Sequence, residues 1–554
     1  MRRTTALVAG VVSVLLALTA CAAGGNGEAK GNKADGMIAS LNLPSDAPAT
    51  VGGLVNFNPV SPNALTKTWL YESLLVRNRQ TCEITPWLAT KFAWTGADHL
   101  SFDIREGVKW SDGKEFTAKD VAFTLNLGKK YPAFDTAGLW NDTFGAPAKT
   151  VTADGNKVNI VFTGNAAPKF DGIINTKILP EHIWSMVGDP AKYIDKLPVS
   201  TGPFSVGSYN GRRLVLERRA DYWQADKVKV KQLVLEGVYD AAKASLALRG
   251  GQLDAFYGEI PNPAKTFVAA DPKTNHFYYP PNGTTVLTFN LAQKPFNDVK
   301  FREATAYAID RDEMSTKGTY GIMKPASQSG LKLPAAVKFL PGAFDPEGTV
   351  TPFDVKKAGK LLDAAGYTKG ADGKRTNKDG SPLALTFSVQ AGWIDYQTMA
   401  DVIARGFNAV GLNSKILATA PESVDAQKKS GKFQMLFEYL DGGCEMAKNL
   451  GSKLASDQVP TTTTILPNVE RWNDKATDQQ VKELSGSVAA RDQRKYTGEL
   501  VTTMMTKYPV TALIYAPSRL IYRSDKAVGW PSDSDPYAHP DDKLVILTHL
   551  RPAP

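Results

Sequence analysis

Apolar and polar positions repeat with two different periods along this chain, and the changes of period mark its elements. Residues 54–57 read as a short strand stopped by Asn58-Pro59, and residues 100–104 alternate like a half-buried strand. Residues 69–76 are largely apolar and fit either a helix or a strand. A turn is predicted at Trp110-Ser111-Asp112-Gly113, followed by a helix with Thr117 as N-cap and Asp120 three residues on, close to a capping box. Residues 151–162 look like a hairpin turning at Asp154-Gly155-Asn156.

The second half has a strand–helix rhythm. Residues 285–291 form a β-rich run, and Asp298 is placed to cap a helix whose apolar face is Phe301, Ala304 and Ala308. Thr351-Pro352-Phe353-Asp354 predicts a helix start with Pro352 in the first turn, stopped by Gly366. Residues 383–389 predict a strand. Residues 396–410 predict a helix with Met399, Val402, Ile403, Phe407 and Val410 on one face, ended by Gly411. Further strands are expected at 415–417 and 433–440; the rest of 420–471 is polar and weakly patterned. This alternation predicts a mostly parallel sheet covered by helices. No short internal repeat is visible.

At 554 residues the chain exceeds one ordinary core, so at least two lobes are required. The net charge of +9 is scattered over 65 basic and 56 acidic residues, so no clustered basic face points to nucleic acid. At the N-terminus, Arg2 and Arg3 precede an apolar stretch over residues 6–20, too short for a comfortable membrane span. Leu18-Thr19-Ala20-Cys21 then resembles the lipobox of bacterial lipoproteins. It implies a signal peptide over 1–20, lipid attachment at Cys21 and an extracytoplasmic, membrane-anchored protein. The alternative is an ordinary secretory signal in which Cys21 is incidental. Residues 21–36 read as a flexible tether.

Several segments, in order, resemble the family 5 extracellular solute-binding proteins of ABC importers, which include oligopeptide-, dipeptide- and nickel-binding proteins. They are Pro86-Trp87-Leu88-Ala89, the run from Ile104-Arg105-Glu106-Gly107 to Asp120-Val121, Thr201-Gly202-Pro203-Phe204, Asp221-Tyr222-Trp223, Phe289-Asn290, Pro295-Phe296-Asn297-Asp298, Ala306-Tyr307-Ala308-Ile309-Asp310-Arg311 and Leu361-Leu362-Asp363-Ala364-Ala365-Gly366-Tyr367. The resemblance implies an α/β, two-lobed, periplasmic-binding-protein-like fold of type II with an extra subdomain in the first lobe. On this reading the first lobe spans 37–284, with the subdomain at about 75–195. The second lobe spans 285–505, and residues 506–554 return to the first. It further implies a monomer that captures an oligopeptide and delivers it to a permease and ATPase, with no cofactor. Asn58-Pro59-Val60-Ser61-Pro62-Asn63 and Ile546-Leu547-Thr548-His549-Leu550 resemble a branch that includes oligosaccharide binders, so a di- or oligosaccharide is the alternative solute. A reading of a different class is an exported peptide or glycan hydrolase.

No two of His99, His182, His276, His539 and His549 stand four residues apart, so no helical zinc pair is present. There is no G-x-S-x-G, Walker loop or C-x-x-C, so the chain reads as no enzyme, and ATP hydrolysis falls to another subunit. In open α/β sheets, ligands sit beyond the carboxyl ends of strands. The strands over 383–390 and 433–440 run into loops carrying Trp393, Asp395 and Asp441; these, with Tyr439 near the end of the second strand, are the candidate ligand residues. Trp393 either stacks on a solute or packs on the sheet edge; Asp441 either meets a solute or forms the turn before Gly442-Gly443. Asn56, Phe57 and Asn58 are candidates from the first lobe. Cys82 and Cys444 are left either as a disulfide or as two buried thiols. A bond between them needs Cα atoms within about 7 Å and would restrain the lobes.

Overall fold

The computed structural model describes residues 36–45, 56–61, 67–210, 213–237 and 240–554. The predicted signal peptide, Cys21, the tether up to residue 35, Leu54, Val55, Pro62 and Asn63 lie outside them. No helix among the described residues is long and apolar enough to cross a membrane.

Hydrophobic burial separates the molecule into lobes. One core gathers side chains from Ile38 to Tyr278 and again from Leu520 to Leu550. Two adjoining cores draw only on residues from Val286 to Ile514. The first lobe contains a four-stranded sheet in the order Ile38–Leu43, Val230–Glu236, Arg213–Arg218, Phe204–Tyr209. Its antiparallel companion runs Ala89–Trp94, His99–Ile104, Lys157–Phe162, Ala148–Asp154 and is covered by the helix Ala118–Lys130. That helix starts where local chemistry dictates: the Asp120 carboxylate accepts from Thr117 N–H at 2.8 Å. The hairpin pairs Asp154 with Lys157 around Gly155.

One buried carboxylate ties the first-lobe motifs together. Glu72 is 1% exposed, and its Oε1 accepts from Trp87 Nε1 (2.6 Å), Tyr222 OH (2.7 Å) and Trp223 Nε1 (3.3 Å). The Arg105 guanidinium lies 4.3 Å over the Trp223 ring and donates to the Trp87 carbonyl. Thus Pro86-Trp87, Ile104-Arg105 and Tyr222-Trp223, remote in sequence, meet at one group.

The second lobe is built on a five-stranded sheet in the order Asn413–Thr419, Ala384–Gln390, Met435–Asp441, Pro281–Phe289, Thr511–Pro517. Its first three strands are parallel; Pro281–Phe289 is antiparallel to both neighbours. The sheet is therefore mixed rather than mostly parallel. The reason is topological: Pro281–Phe289 carries the chain into the lobe and Thr511–Pro517 carries it out, so the start of the first and the end of the second must lie on the same side. Thr511–Pro517 lies in this sheet, and the next strand, Leu520–Arg523, pairs with Asn275–Tyr278 in the first lobe. The chain accordingly crosses between sheets at residues 279–280 and 518–519, rather than at the 284/285 and 505/506 divisions read from the sequence.

Other local differences have local causes. The helix after Thr351 begins at Val355, with Asp354 as N-cap accepting from Lys357 N–H, so Pro352 stands before it. The Thr351 carbonyl is held by Arg311 Nη1 at 3.0 Å, which keeps it out of a helix. Residues 69–76 divide between the helix Lys67–Leu70 and the strand Leu75–Arg77. Asn56 and Phe57 lie outside any strand. The weakly patterned stretch holds the helices Pro421–Ser430 and Met446–Leu454.

Candidate functional site

Strand polarity brings the candidate loops to one edge of the second-lobe sheet. Asp441 pairs with Gly283, and Pro281 with Pro517, so the end of Met435–Asp441 lies beside both crossings. Ala384–Gln390 and Asn413–Thr419 run parallel to Met435–Asp441, so Gln390 and Thr419 end on that edge as well. The loops after these strands thus face the junction with the first lobe.

An aromatic chain covers this edge. Trp393 is 45% exposed and leans on Tyr396, 4.9 Å between ring centroids, one helical turn along Ile394–Ala409. Tyr396 meets Phe437 edge-on at 5.1 Å, and Phe437 rests on Phe387 at 4.7 Å. Tyr439, two residues beyond Phe437 and so on the same strand face, is 43% exposed. Its hydroxyl accepts from Asn282 Nδ2 at 3.3 Å and occupies the space a side chain at Gly283 would need. Burial and the neighbouring Asp441 push the Tyr439 hydroxyl up to about 12, so it stays a neutral donor at physiological pH.

Charge enters from the crossing itself. Arg519 pairs with Glu259 of the first lobe at 2.8 Å, and both keep solvent-facing surface. Arg519 Nε is buried without a hydrogen-bond partner. Tyr279, Tyr396 and Tyr439 all feel the Arg519 charge, so the guanidinium belongs to the same neighbourhood as the aromatic edge. Sequence reasoning missed Tyr396, Phe437, Arg519 and Glu259. Spacing from Trp393 and Tyr439 offered a signal for the two aromatics; none existed for the ion pair.

The predicted residues separate into two groups. Trp393, Asp395, Tyr439 and Asp441 are on or beside the edge. Asp395 is exposed in the first turn of its helix. Asp441 is exposed, and its Oδ1 accepts from Gly443 N–H at 3.1 Å, the turn-forming role. Asn56, Phe57 and Asn58 are instead docked on residues 190–195. Phe57 is 1% exposed, and its N–H donates to the Asp195 carbonyl at 2.8 Å. Asn58 is fully buried, its Nδ2 donating to the carbonyls of Pro190 (2.8 Å) and Tyr193 (3.0 Å). The Asn56 Oδ1 accepts from the N–H groups of Asn58 and Asp195. Burial leaves Phe57 and Asn58 no surface to offer a solute, which corrects their assignment.

Near the same edge, the loop over 78–83 of the first lobe touches the second. Cys82 and Cys444 are joined by a disulfide, with Cα atoms 5.3 Å apart. Lys332 of the second lobe donates to the Arg79 carbonyl at 2.7 Å, and Arg79 N–H donates to Asp542 at 3.0 Å. Burial lowers Lys332 to about 8 and raises Asp542 to about 6. His539 beside them is held near 3, by burial and then by the charges of Lys332 and Arg79. At neutral pH the junction therefore holds an ammonium, a carboxylate and an uncharged imidazole. Among the described residues no group of three or more His, Cys, Asp or Glu is arranged to hold a metal ion.

These features define a two-lobed binding fold, with sheet ends and crossings gathered where the lobes meet. Residues 83–456 match the family described as bacterial extracellular solute-binding proteins, family 5 Middle. The chain belongs to that family, and its fold is the type II periplasmic-binding-protein fold. It is 24% identical over 415 residues to the nickel-binding periplasmic protein of Escherichia coli (strain K12), covering 69% of this chain and 73% of that one. The dipeptide-binding protein of the same strain is 26% identical over 389 residues, with 66% and 69% covered. Among solved structures, the periplasmic oligopeptide-binding protein of an oligopeptide ABC transporter from Thermotoga maritima superposes with a TM-score of 0.77 at 22% identity, covering 93% of this chain and 99% of that one. Its mannohexaose-bound form gives 0.66 at 23% identity, covering 93% and 98%.

Proposed function

We propose that the protein is the extracytoplasmic solute-binding subunit of an ABC importer. It acts as a monomer, closes its lobes on an oligopeptide without turning it over, and passes it to a membrane permease driven by an ATPase. The observation that carries this reading is the convergence of Trp393, Tyr396, Tyr439 and the Arg519–Glu259 pair on the junction between lobes. A peptide offers what this edge can use: side chains for the aromatic faces, an ammonium for Glu259 or Asp441, and carbonyls or a carboxylate for the exposed part of the Arg519 guanidinium. The peptide assignment is in keeping with the relatives named for peptides. A second reading, a di- or oligosaccharide, is favoured by the exposed ring of Trp393, since sugar rings stack on such faces, and by the mannohexaose bound to one structural neighbour.

Mass spectrometry of solute released from the purified protein by denaturation tests the assignment. A peptide is expected; an oligosaccharide transfers the proposal to the second reading. Cleavage of candidate oligomers during incubation would overturn binding without turnover. With the solute identified, Trp393→Ala should weaken its binding by at least ~1 kcal/mol, about fivefold, while the thermal transition stays in place. Unchanged affinity would remove Trp393 from the site.

We also propose that Cys21 carries a lipid anchor, a reading supported by the sequence around it. Cys21→Ser should move the protein from membrane to soluble fraction. Persistence of a covalent lipid on that variant would sink the assignment.

A further inference from the structure

The two lobes are joined by more than their two peptide crossings. Residues 279–280 and 518–519 run side by side, with Ser518 N–H donating to the Pro280 carbonyl at 2.9 Å, so together they make one ribbon. A single ribbon permits both rotation and twisting of one lobe on the other. The Cys82–Cys444 disulfide adds a separate connection.

Its position follows from the register. Asp441 pairs with Gly283, and Gly442 packs so tightly on Asn282 and Gly283 that a side chain there would overlap the Asn282 carbonyl. Cys444 comes two residues later, so its Cα lies within roughly 7 Å of chain length from that contact. The second-lobe half of the disulfide is therefore mounted next to the crossing.

The first-lobe half is equally well anchored. Cys82 closes a tight turn in which its N–H donates to the Asn78 carbonyl at 2.8 Å. The Asn78 side-chain oxygen accepts from Gln80 and Thr81 N–H, and its Nδ2 donates to the Tyr537 carbonyl. Cys82 itself sits at φ 62°, the left-handed region that non-glycine residues seldom occupy. Lys332 reaches across from the second lobe to the Arg79 carbonyl in the same turn. A covalent link and a charged hydrogen bond thus bind one rigid turn of the first lobe to the second, beside the ribbon. Both cysteines are only half-buried, so a small dithiol has access to the bond.

We propose that Cys82–Cys444, supported by Lys332, is a redox-addressable latch that limits how far the lobes open. This rests on the reading that the lobes close on a solute. With the bond formed, the lobes turn only about a line through the latch and the crossings, and opening about any other axis is blocked. A dithiol opens the latch by thiolate attack on one sulfur; its second thiolate completes the exchange and leaves as a cyclic disulfide. Two electrons and two protons pass to the protein, and Cys82 and Cys444 end as thiols. The freed lobes then open wider and hold solute less long.

The test needs no solute and so stands apart from the solute assignment. Free thiols are counted in the denatured, unreduced mature protein, and small-angle scattering is recorded from the solute-free native chain before and after dithiothreitol. The Cys82→Ser/Cys444→Ser double variant is measured alongside. The latch predicts no free thiol from this pair in the unreduced chain. It also predicts a shift to larger radius of gyration and maximum dimension in both the reduced chain and the variant, with near-ultraviolet circular dichroism retained. Two free thiols, or superimposable scattering from bonded and unbonded folded forms, would overturn it. Should the double variant fail to fold, the reduced native chain decides. Loss of its near-ultraviolet signal would show the bond to be a folding staple rather than a latch.

Discussion

Glu72→Ala is expected to remove at least ~4 kcal/mol of stability, a large part of the 5–15 kcal/mol typical of a folded domain. The carboxylate is buried and is the shared acceptor for Trp87, Tyr222 and Trp223. Removing it strands three buried or half-buried donors, each costing about 1–3 kcal/mol, and leaves a cavity beside two indoles. The aromatic packing remains and offsets part of this: Trp87 and Trp223 still meet edge-on at 5.4 Å. Glu72→Gln keeps one acceptor oxygen and should lose less than half as much. Burial raises the Glu72 pKa while the donors pull it part of the way back down. Urea unfolding of the three proteins decides the matter. An alanine variant within 1 kcal/mol of the native chain would mean that the motifs are held by ring packing alone.

Gly406→Ala should destabilise the second lobe by ~2 kcal/mol or more, against the local preference of a helix. In the interior of Ile394–Ala409, alanine is favoured over glycine by about 1 kcal/mol. An added Cβ, however, would overlap the Ala308 carbonyl oxygen and lie 3.0 Å from its carbon. That segment has little room to give. Ala308 N–H donates to the Thr305 carbonyl at 3.1 Å, and Arg311 Nη1 holds the Ala306 and Ile309 carbonyls at 3.0 and 3.2 Å. Overpacking against a fixed backbone costs about 1–3 kcal/mol or more, so the clash outweighs the propensity gain. The helix would have to shift, and Trp393 stands at its first turn, so solute affinity should fall together with stability. Denaturant midpoint and solute titration are the two readouts. A variant more stable than the native chain would show that propensity wins and that the contact relaxes.

Much of the local structure was legible because its causes are local. The Thr117–Asp120 cap, the turn at Gly155, the Asp298 cap and the apolar face from Met399 to Val410 depend on groups within a few residues of one another. The strand ends bearing Trp393 and Asp441 could also be read, since strand direction and a following glycine loop are visible in one dimension. Where two local readings competed, sequence did not choose. Trp69 to Val76 became helix and strand together, because Trp69 and Leu70 lie against Gly202 while Leu75 pairs with Pro86.

The sequence by itself determined the motif order, the caps, the amphipathic faces and the strand ends that carry the aromatic edge. Tertiary structure alone decided what those pieces meet. Whether Asn58 faces a solute or a buried loop depends on residues 190–193, and the Arg519–Glu259 pair joins positions far apart in the chain. The antiparallel entry of Pro281–Phe289, and with it the mixed sheet, follows from the need to cross twice at one place. Caps and periodicity are set by hydrogen bonds and side-chain contacts spanning three or four residues. Pairings such as Cys82 with Cys444 arise only after long loops have closed, when the sum of burial across both lobes selects one register and one set of neighbours.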